Sequence, residues 1–243
     1  MGRDPEVFEE HIADLKTIVY KTMVDESTLK LIGEKEKLKL FKKMPFLKRK
    51  PEDIQFESLE RFYEPFITVS GRYHVDYYRR RTYELEAEDD VSELVIFNHV
   101  LKPKTSTLAK VQRKGRTVEL EADERIVREQ SAYMILDRKG REITVEELLA
   151  APAEENPEGI LAEAGEKVWS LDVSPEKAVE TIRSKIVDRP GNAVRTSSET
   201  FEVTERTVVY VPLYQVTYKR LDGSEVRSLL VNGVTSEVTE RTD

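Results

Sequence analysis

Tyr63-Glu64-Pro65-Phe66, with the alternating run Ile67 to Tyr83 that it opens, recurs near the C-terminus as Tyr210-Val211-Pro212-Leu213. At a constant offset of 147 residues Ile54 matches Phe201, Phe56 matches Val203, Phe62 matches Val209, Tyr63 matches Tyr210 and Pro65 matches Pro212. Six extra residues in the first copy then reduce the offset to 141, where Val75 and Tyr77 match Val216 and Tyr218. Upstream, Asp25 and Ser27 match Asp172 and Ser174, and both pairs carry residue types that cap helix N-termini. A fixed offset of this kind marks a repeated supersecondary unit; the alternative is that any two alternating strands resemble each other.

Working outward, a two-residue period governs residues 53 to 136. Tyr73, Val75 and Tyr77 share one strand face, while His74, Asp76, Tyr78 and Arg80 share the other. Because both faces carry large rings, both are expected to be partly covered. Leu94 to Val100 reads as one further strand, Lys114-Gly115 as a hairpin turn, and Asp137-Arg138-Lys139-Gly140 as another turn. Thr144 with Glu147 forms a capping box that opens a short helix over 145 to 150. Residues 151 to 157, rich in Pro, Glu and Ala, read as a linker.

Helical spacing appears in three places. Asp4-Pro5 followed by Phe8, Ile12, Leu15, Val19 and Met23 predicts a helix over 5 to 23. Leu29, Ile32, Leu38 and Phe41 predict a second helix, interrupted by Gly33 and stopped by Pro45. Ser174-Pro175-Glu176-Lys177 is a strong helix start, followed by Ala178, Val179, Ile182 and Ile186. Strands then run to the end, with Asp222-Gly223 and Asn232-Gly233 as tight turns. The expected fold class is therefore α+β: two helix-plus-antiparallel-meander units joined by additional strands and a short helix. Its segments are an N-terminal helix at 1–24, a first unit at 25–103, connecting strands, short helix and linker at 104–165, and a second unit at 166–243.

The helix opened by Ser174-Pro175-Glu176-Lys177-Ala178, then Leu213-Tyr214-Gln215-Val216-Thr217-Tyr218, Asp222-Gly223 and Val231-Asn232-Gly233-Val234-Thr235-Ser236-Glu237-Val238, resembles a PepSY-type module. That family places a helix before a meander ending in a V-D-x-x-T-G-x-V hairpin; here Asn232 stands at the acidic position and Ser236 at the glycine. The resemblance covers about 70 residues and implies a non-catalytic binding or inhibitory role. The first copy is similar to uncharacterised archaeal proteins.

Composition excludes several functions. Cysteine is absent, which removes disulfides, thiolate nucleophiles and Cys-based zinc sites. The three histidines, His11, His74 and His99, have no metal-binding spacing, and Walker, dinucleotide-glycine and nucleophile-elbow patterns are missing. No cofactor is expected, and the residues point away from an enzyme. No apolar stretch reaches membrane-spanning length and the N-terminus lacks a signal region, so a soluble cytoplasmic protein is expected. Charged residues make up 35% of the chain against roughly 25% in an average domain, with few Asn and Gln, a combination that leans to a thermophilic source.

Two clusters could bind something. Lys42, Lys43, Lys48 and Arg49 lie in a basic stretch beginning at Lys35, interleaved with Leu and Phe, on a chain of net charge −8. Such a cluster suits phosphate or anionic lipid, or it is a solvated helix face whose lysine stems cover apolar neighbours. Tyr73, His74, Asp76, Tyr78, Arg79, Arg80 and Arg81 form the second. Rings stack on bases and arginines meet phosphates, His74 beside Asp76 could act as a base, and cross-strand packing is the plainer account. The first expectation is a non-enzymatic binding or scaffold protein with a protein partner; the alternative is nucleic-acid binding through both clusters. The ligand and the oligomeric state are not legible.

Overall fold

The computed structural model describes residues 8–41, 51–108 and 113–240. In chain order the elements are β1 (Phe8–Ile12), β2 (Lys16–Val19), α1 (Glu26–Leu40), β3 (Ile54–Ala87), β4 (Leu94–Ile96), β5 (His99–Leu101), β6 (Lys104–Leu108), β7 (Arg113–Leu136), β8 (Glu142–Ile143), α2 (Pro157–Ala164), α3 (Pro175–Ile186), β9 (Ala193–Arg220), β10 (Val226–Asn232) and β11 (Val238–Glu240). The α+β expectation is wrong: the chain is 54% strand and 21% helix, built on three strands of 24 to 34 residues rather than on two short meanders each led by a helix. It divides into a larger unit of residues 11–72, 131–186 and 202–243 and a smaller one of residues 1–10, 73–130 and 187–201. The long strands β3, β7 and β9 contribute residues to both.

Residues 5–7 of the helix expected over 5 to 23 lie outside the described residues, and from Phe8 on the segment holds β1 and β2 instead of a helix. Its apolar stripe fits a helical period, but Thr17, Ile18 and Val19 are β-branched and prefer extended backbone. An open strand edge then decides the outcome: β2 pairs in parallel with β9, Lys16 opposite Thr207 through Val19 opposite Tyr210. Of the stripe, Val19 is fully buried whereas Ile12, Leu15 and Met23 are exposed, which a core-facing helix would not allow.

In the larger unit the strand order is β11-β10-β9-β3-β7, with β2 on β9 and β8 on β7. Early β3 meets late β9: the Phe56 and Tyr218 rings are edge-to-face at 6.1 Å, and Thr204 reaches the Ser70 carbonyl at 3.4 Å, so the two run antiparallel. α1 starts where Asp25 caps it, its carboxylate accepting from the Thr28 amide at 2.9 Å. It is not interrupted at Gly33. A Cβ there would lie 2.5 Å from Tyr218 Oη and 2.9 Å from a Val216 methyl, so glycine lets α1 lie against β9. Leu29 and Phe41 join Val216, Tyr218, Leu229 and Val231 in one core cluster; burying side chains of this size stabilises by about 1.5–3 kcal/mol each.

α3 begins at Ser174, whose hydroxyl accepts from the Lys177 amide at 3.2 Å, and buries Ala178, Val179, Ile182 and Ile186. Gly71 is the point of β3 that α3 covers. It is buried within the strand, and a Cβ on it would stand 3.3 Å from methyl groups of Ile182 and Ile186.

The tyrosines equated by the offset of 147 occupy matching surroundings. The Tyr210 carbonyl accepts from the Tyr20 amide at 2.9 Å, and the Tyr63 carbonyl from the Trp169 amide at 2.9 Å; Val168 bridges Tyr63 in parallel as Val19 bridges Tyr210. The segment before α1 thus attaches to the strand after α3, and the segment before α3 attaches to the strand after α1. Pro65 and Pro212 lie inside strands, not at strand starts. Pro212 falls in the gap on β9 between its pairing with β2, which ends at Tyr210, and with β10, which starts at Leu213. Pro65 lies between Tyr63 and Thr68, which hydrogen-bonds Tyr133 of β7. A missing N–H is tolerated where no ladder partner needs it.

Smaller corrections follow the same logic. Lys114 and Gly115 are ladder residues opposite Thr107 and Ser106, not a turn. The 145-to-150 helix is one 3-10 turn, Val145–Glu147, with its capping box formed. The expected linker is tied down: the Lys21 amide donates to Pro152 O at 2.7 Å and the Glu154 amide to Val19 O at 2.8 Å, while Asn156 caps α2. Asn232-Gly233 opens a longer loop to β11, in which Asn232 Oδ1 accepts from the Val234 and Thr235 amides and Ser236, not Gly233, takes positive φ.

Gly33 gives a test with opposite signs. Helix propensity alone makes Gly33→Ala stabilising by about 1 kcal/mol, whereas forcing a methyl against a fully buried tyrosine costs about 1–3 kcal/mol. Urea denaturation is expected to show net destabilisation of G33A; a gain in stability would mean that α1 does not approach Tyr218.

Candidate functional site

In the smaller unit β3 runs between β9 and β7, which is joined by β6, and β4 pairs only with β5. Tyr73, Val75 and Tyr77 are fully buried, as the two-residue period requires. The Tyr73 hydroxyl donates to Glu199 Oε1 at 3.1 Å, and Arg189 Nε donates to the same oxygen at 2.7 Å. Burial, with the Glu199 charge second, pushes the Tyr73 phenol far above its ordinary value, so it remains a neutral donor.

On the opposite face Asp76 is buried and accepts from Arg125 Nε at 3.0 Å and Nη2 at 2.6 Å. That charge-assisted fork holds the Asp76 carboxyl below the usual range. His74 Nδ1 faces Glu129 at 3.5 Å, and Tyr78 lies beneath the Arg195 guanidinium, 4.3 Å from its ring centre. Asp76 is thus bonded to Arg125 and His74 faces Glu129, with His74 and Arg195 adding smaller favourable charge at Asp76.

The arginines form a ladder with β7. Arg79 Nε donates to Glu124 at 2.7 Å, Arg80 Nε to Asp123 at 3.0 Å, and Arg81 stands 3.6 Å from Glu124, which also accepts from the Tyr83 hydroxyl. Sequence reading missed these partners because the acids lie some forty residues downstream, within a strand whose own pattern gives no register. Lys42, Lys43, Lys48 and Arg49 lie outside the described residues. Of the four α1 lysines that precede them, three pair with acids, Lys30 with Glu26, Lys37 with Glu34 and Lys39 with Glu36, each within 2.7 Å.

The hairpin formed by β4 and β5 was expected as one strand. Leu94 pairs with Leu101, Val95 with Val100 and Ile96 with His99; Phe97 and Asn98 turn the chain with φ of 47° and 64°. Phe97 is 94% exposed, and Val95 and Val100, facing each other across the ladder, are 66% and 55% exposed. Asn98 inside an apolar run was the available signal, since Asn tolerates left-handed backbone. Elsewhere, in the larger unit, a cleft of about 370 Å³ is lined by Glu36, Lys39, Leu40, Leu229 and Val238. Among the described residues no group of three His, Asp or Glu is placed to hold a metal ion, and no helix is long and apolar enough to cross a membrane.

The Asp76–Arg125 fork sets a pH dependence. A carboxyl whose folded pKa is depressed contributes stability above its unfolded value, about 3.9, and loses it as pH falls through the lower folded value. Asp76→Asn is therefore expected to lower the urea midpoint at pH 7, with the gap from wild type closing towards pH 3; an equal gap at both pH values would contradict the fork. No protein-family model, curated protein or solved structure matches the chain.

Proposed function

We propose that the protein is a non-enzymatic binding protein that presents the β4–β5 hairpin to a protein partner. Phe97 carries this reading. A two-residue turn with positive φ at both central positions is suited to Asn-Gly, and a bulky residue in left-handed backbone costs about 1–2 kcal/mol. The exposed ring gains no burial in the free chain to offset that cost. Buried in a partner's pocket, it would gain about 1.5–3 kcal/mol, and aromatic anchors of this kind dominate interfaces.

Charge narrows the partner. The chain entering the hairpin carries Glu86, Glu88, Asp89, Asp90 and Glu93; among the described residues Glu93 stands 3.8 Å from Lys102 and Arg116 donates to the Asp89 carbonyl at 2.8 Å, which leaves the acids in excess. That surrounding favours an apolar pocket with a basic rim and disfavours an anionic bilayer. Nucleic acid, the alternative, has less support, because Arg79, Arg80 and Arg81 each meet a carboxylate.

The test replaces the turn by Asn-Gly. A partner captured on the immobilised protein, then purified, is titrated against wild type and the Phe97→Asn/Asn98→Gly variant. Affinity is expected to fall by at least about tenfold while the thermal midpoint of the variant stays level or rises. Equal affinity for both proteins would contradict the reading.

A further inference from the structure

We propose that the chain pairs with a second copy of itself along the outer edge of β7, antiparallel and centred on Val127. The inference is independent of the hairpin. β9 has β3 on one side and β1, β2 and β10 along the other. β7 also has β3 on one side, but within the smaller unit its outer side is paired only from Arg113 to Thr117, by β6. From Val118 to Gln130 the outer backbone groups have no partner strand among the described residues. No proline interrupts this stretch; of the devices that blunt an edge it carries only charged side chains, so a second copy can pair there only in a register that sets those charges against opposite ones.

Charge chooses both the occupant and the register. In a twofold-symmetric antiparallel pair, one residue meets its own copy and the others pair at equal distances on either side. Centring on Glu119, Glu121, Asp123, Glu124, Arg125, Arg128 or Glu129 sets a charge against itself. Centring on Leu120 opposes Glu119 to Glu121, on Ala122 opposes Glu121 to Asp123, and on Ile126 opposes Asp123 to Glu129. Only Val127 is free of such conflicts among the centres from 119 to 129. It places Val127 against Val127, Arg125 against Glu129 twice, Ile126 against Arg128 and Glu124 against Gln130. Opposite charges directly across a ladder stabilise it and like charges oppose it.

The side chains are available for these contacts. Val127 is 54% exposed, and the Glu129 and Arg125 side chains are 81% and 61% exposed. Arg125 commits Nε and Nη2 to Asp76, while its guanidinium has five donors, so Nη1 is available to Glu129 of the second copy. Association would leave the Asp76 fork intact.

Sedimentation velocity on the full chain tests the proposal, with a species of twice the 28.1 kDa chain mass expected to grow with concentration. Glu129→Arg sets Arg against Arg125 of the second copy and is expected to weaken association by at least about tenfold, whereas Glu121→Arg is expected to leave it unchanged. Because the chain has no cysteine, single replacements report register: Val127→Cys alone is expected to form a covalent dimer on mild oxidation, and Ile126→Cys only when mixed with Arg128→Cys. Circular dichroism checks the fold of each variant. A monomer at every concentration, loss of association in Glu121→Arg equal to that in Glu129→Arg, or cross-linking that ignores register would each overturn the proposal.

Discussion

The antiparallel pairing of β3 with β9 is the constraint on which the larger unit depends. Each of these strands is too long and too apolar to stand at a sheet edge, and each follows a helix that packs against the other's side of the pair. α1, which precedes β3, covers Val216 and Tyr218 of β9. α3, which precedes β9, covers Gly71 of β3. The lead-in segments are exchanged in the same sense, β2 to Tyr210 and Val168 to Tyr63. Neither helix can therefore dock until both strands are in place, which ties residues some 150 positions apart into one cooperative assembly.

Much of the local structure was legible, because it is decided by neighbours in sequence. Asp25 and Ser174 start their helices, Asp137 closes its turn through the Gly140 amide, Asp222-Gly223 turns β9 into β10, and Tyr73, Val75 and Tyr77 share one buried face. The loop after Asn232 is an exception: Asn232-Gly233 reads as a tight turn, yet the Asn side chain caps two amides of a longer loop and positive φ falls at Ser236.

What was not legible depends on partners remote in sequence. The stripe from Phe8 to Met23 satisfies a helical period, but β9 supplies an edge that only the folded chain creates. Gly33 looks like a break in a helix, yet like Gly71 it is a point where a helix and a strand come close. Arg79, Arg80 and Arg81 look like a phosphate surface until β7 places Asp123 and Glu124 opposite them. Phe97 is the reverse case: the sequence run suggests one continuous strand, and the structure exposes the ring on a turn that glycine and asparagine would fill at lower cost. Surface features that conflict with their local preferences are where function is to be sought, and both Phe97 and the open edge of β7 are of this kind.

Residue-resolved amide hydrogen exchange reads the exchanged attachment of the two lead-in segments directly. The Tyr20 and Trp169 amides, which donate to Tyr210 and Tyr63, are predicted to exchange as slowly as the central amides of β9, opening only with the whole unit. Exchange of either amide as fast as the turn residues 221–224 would show instead that the segment is not held by the opposite strand.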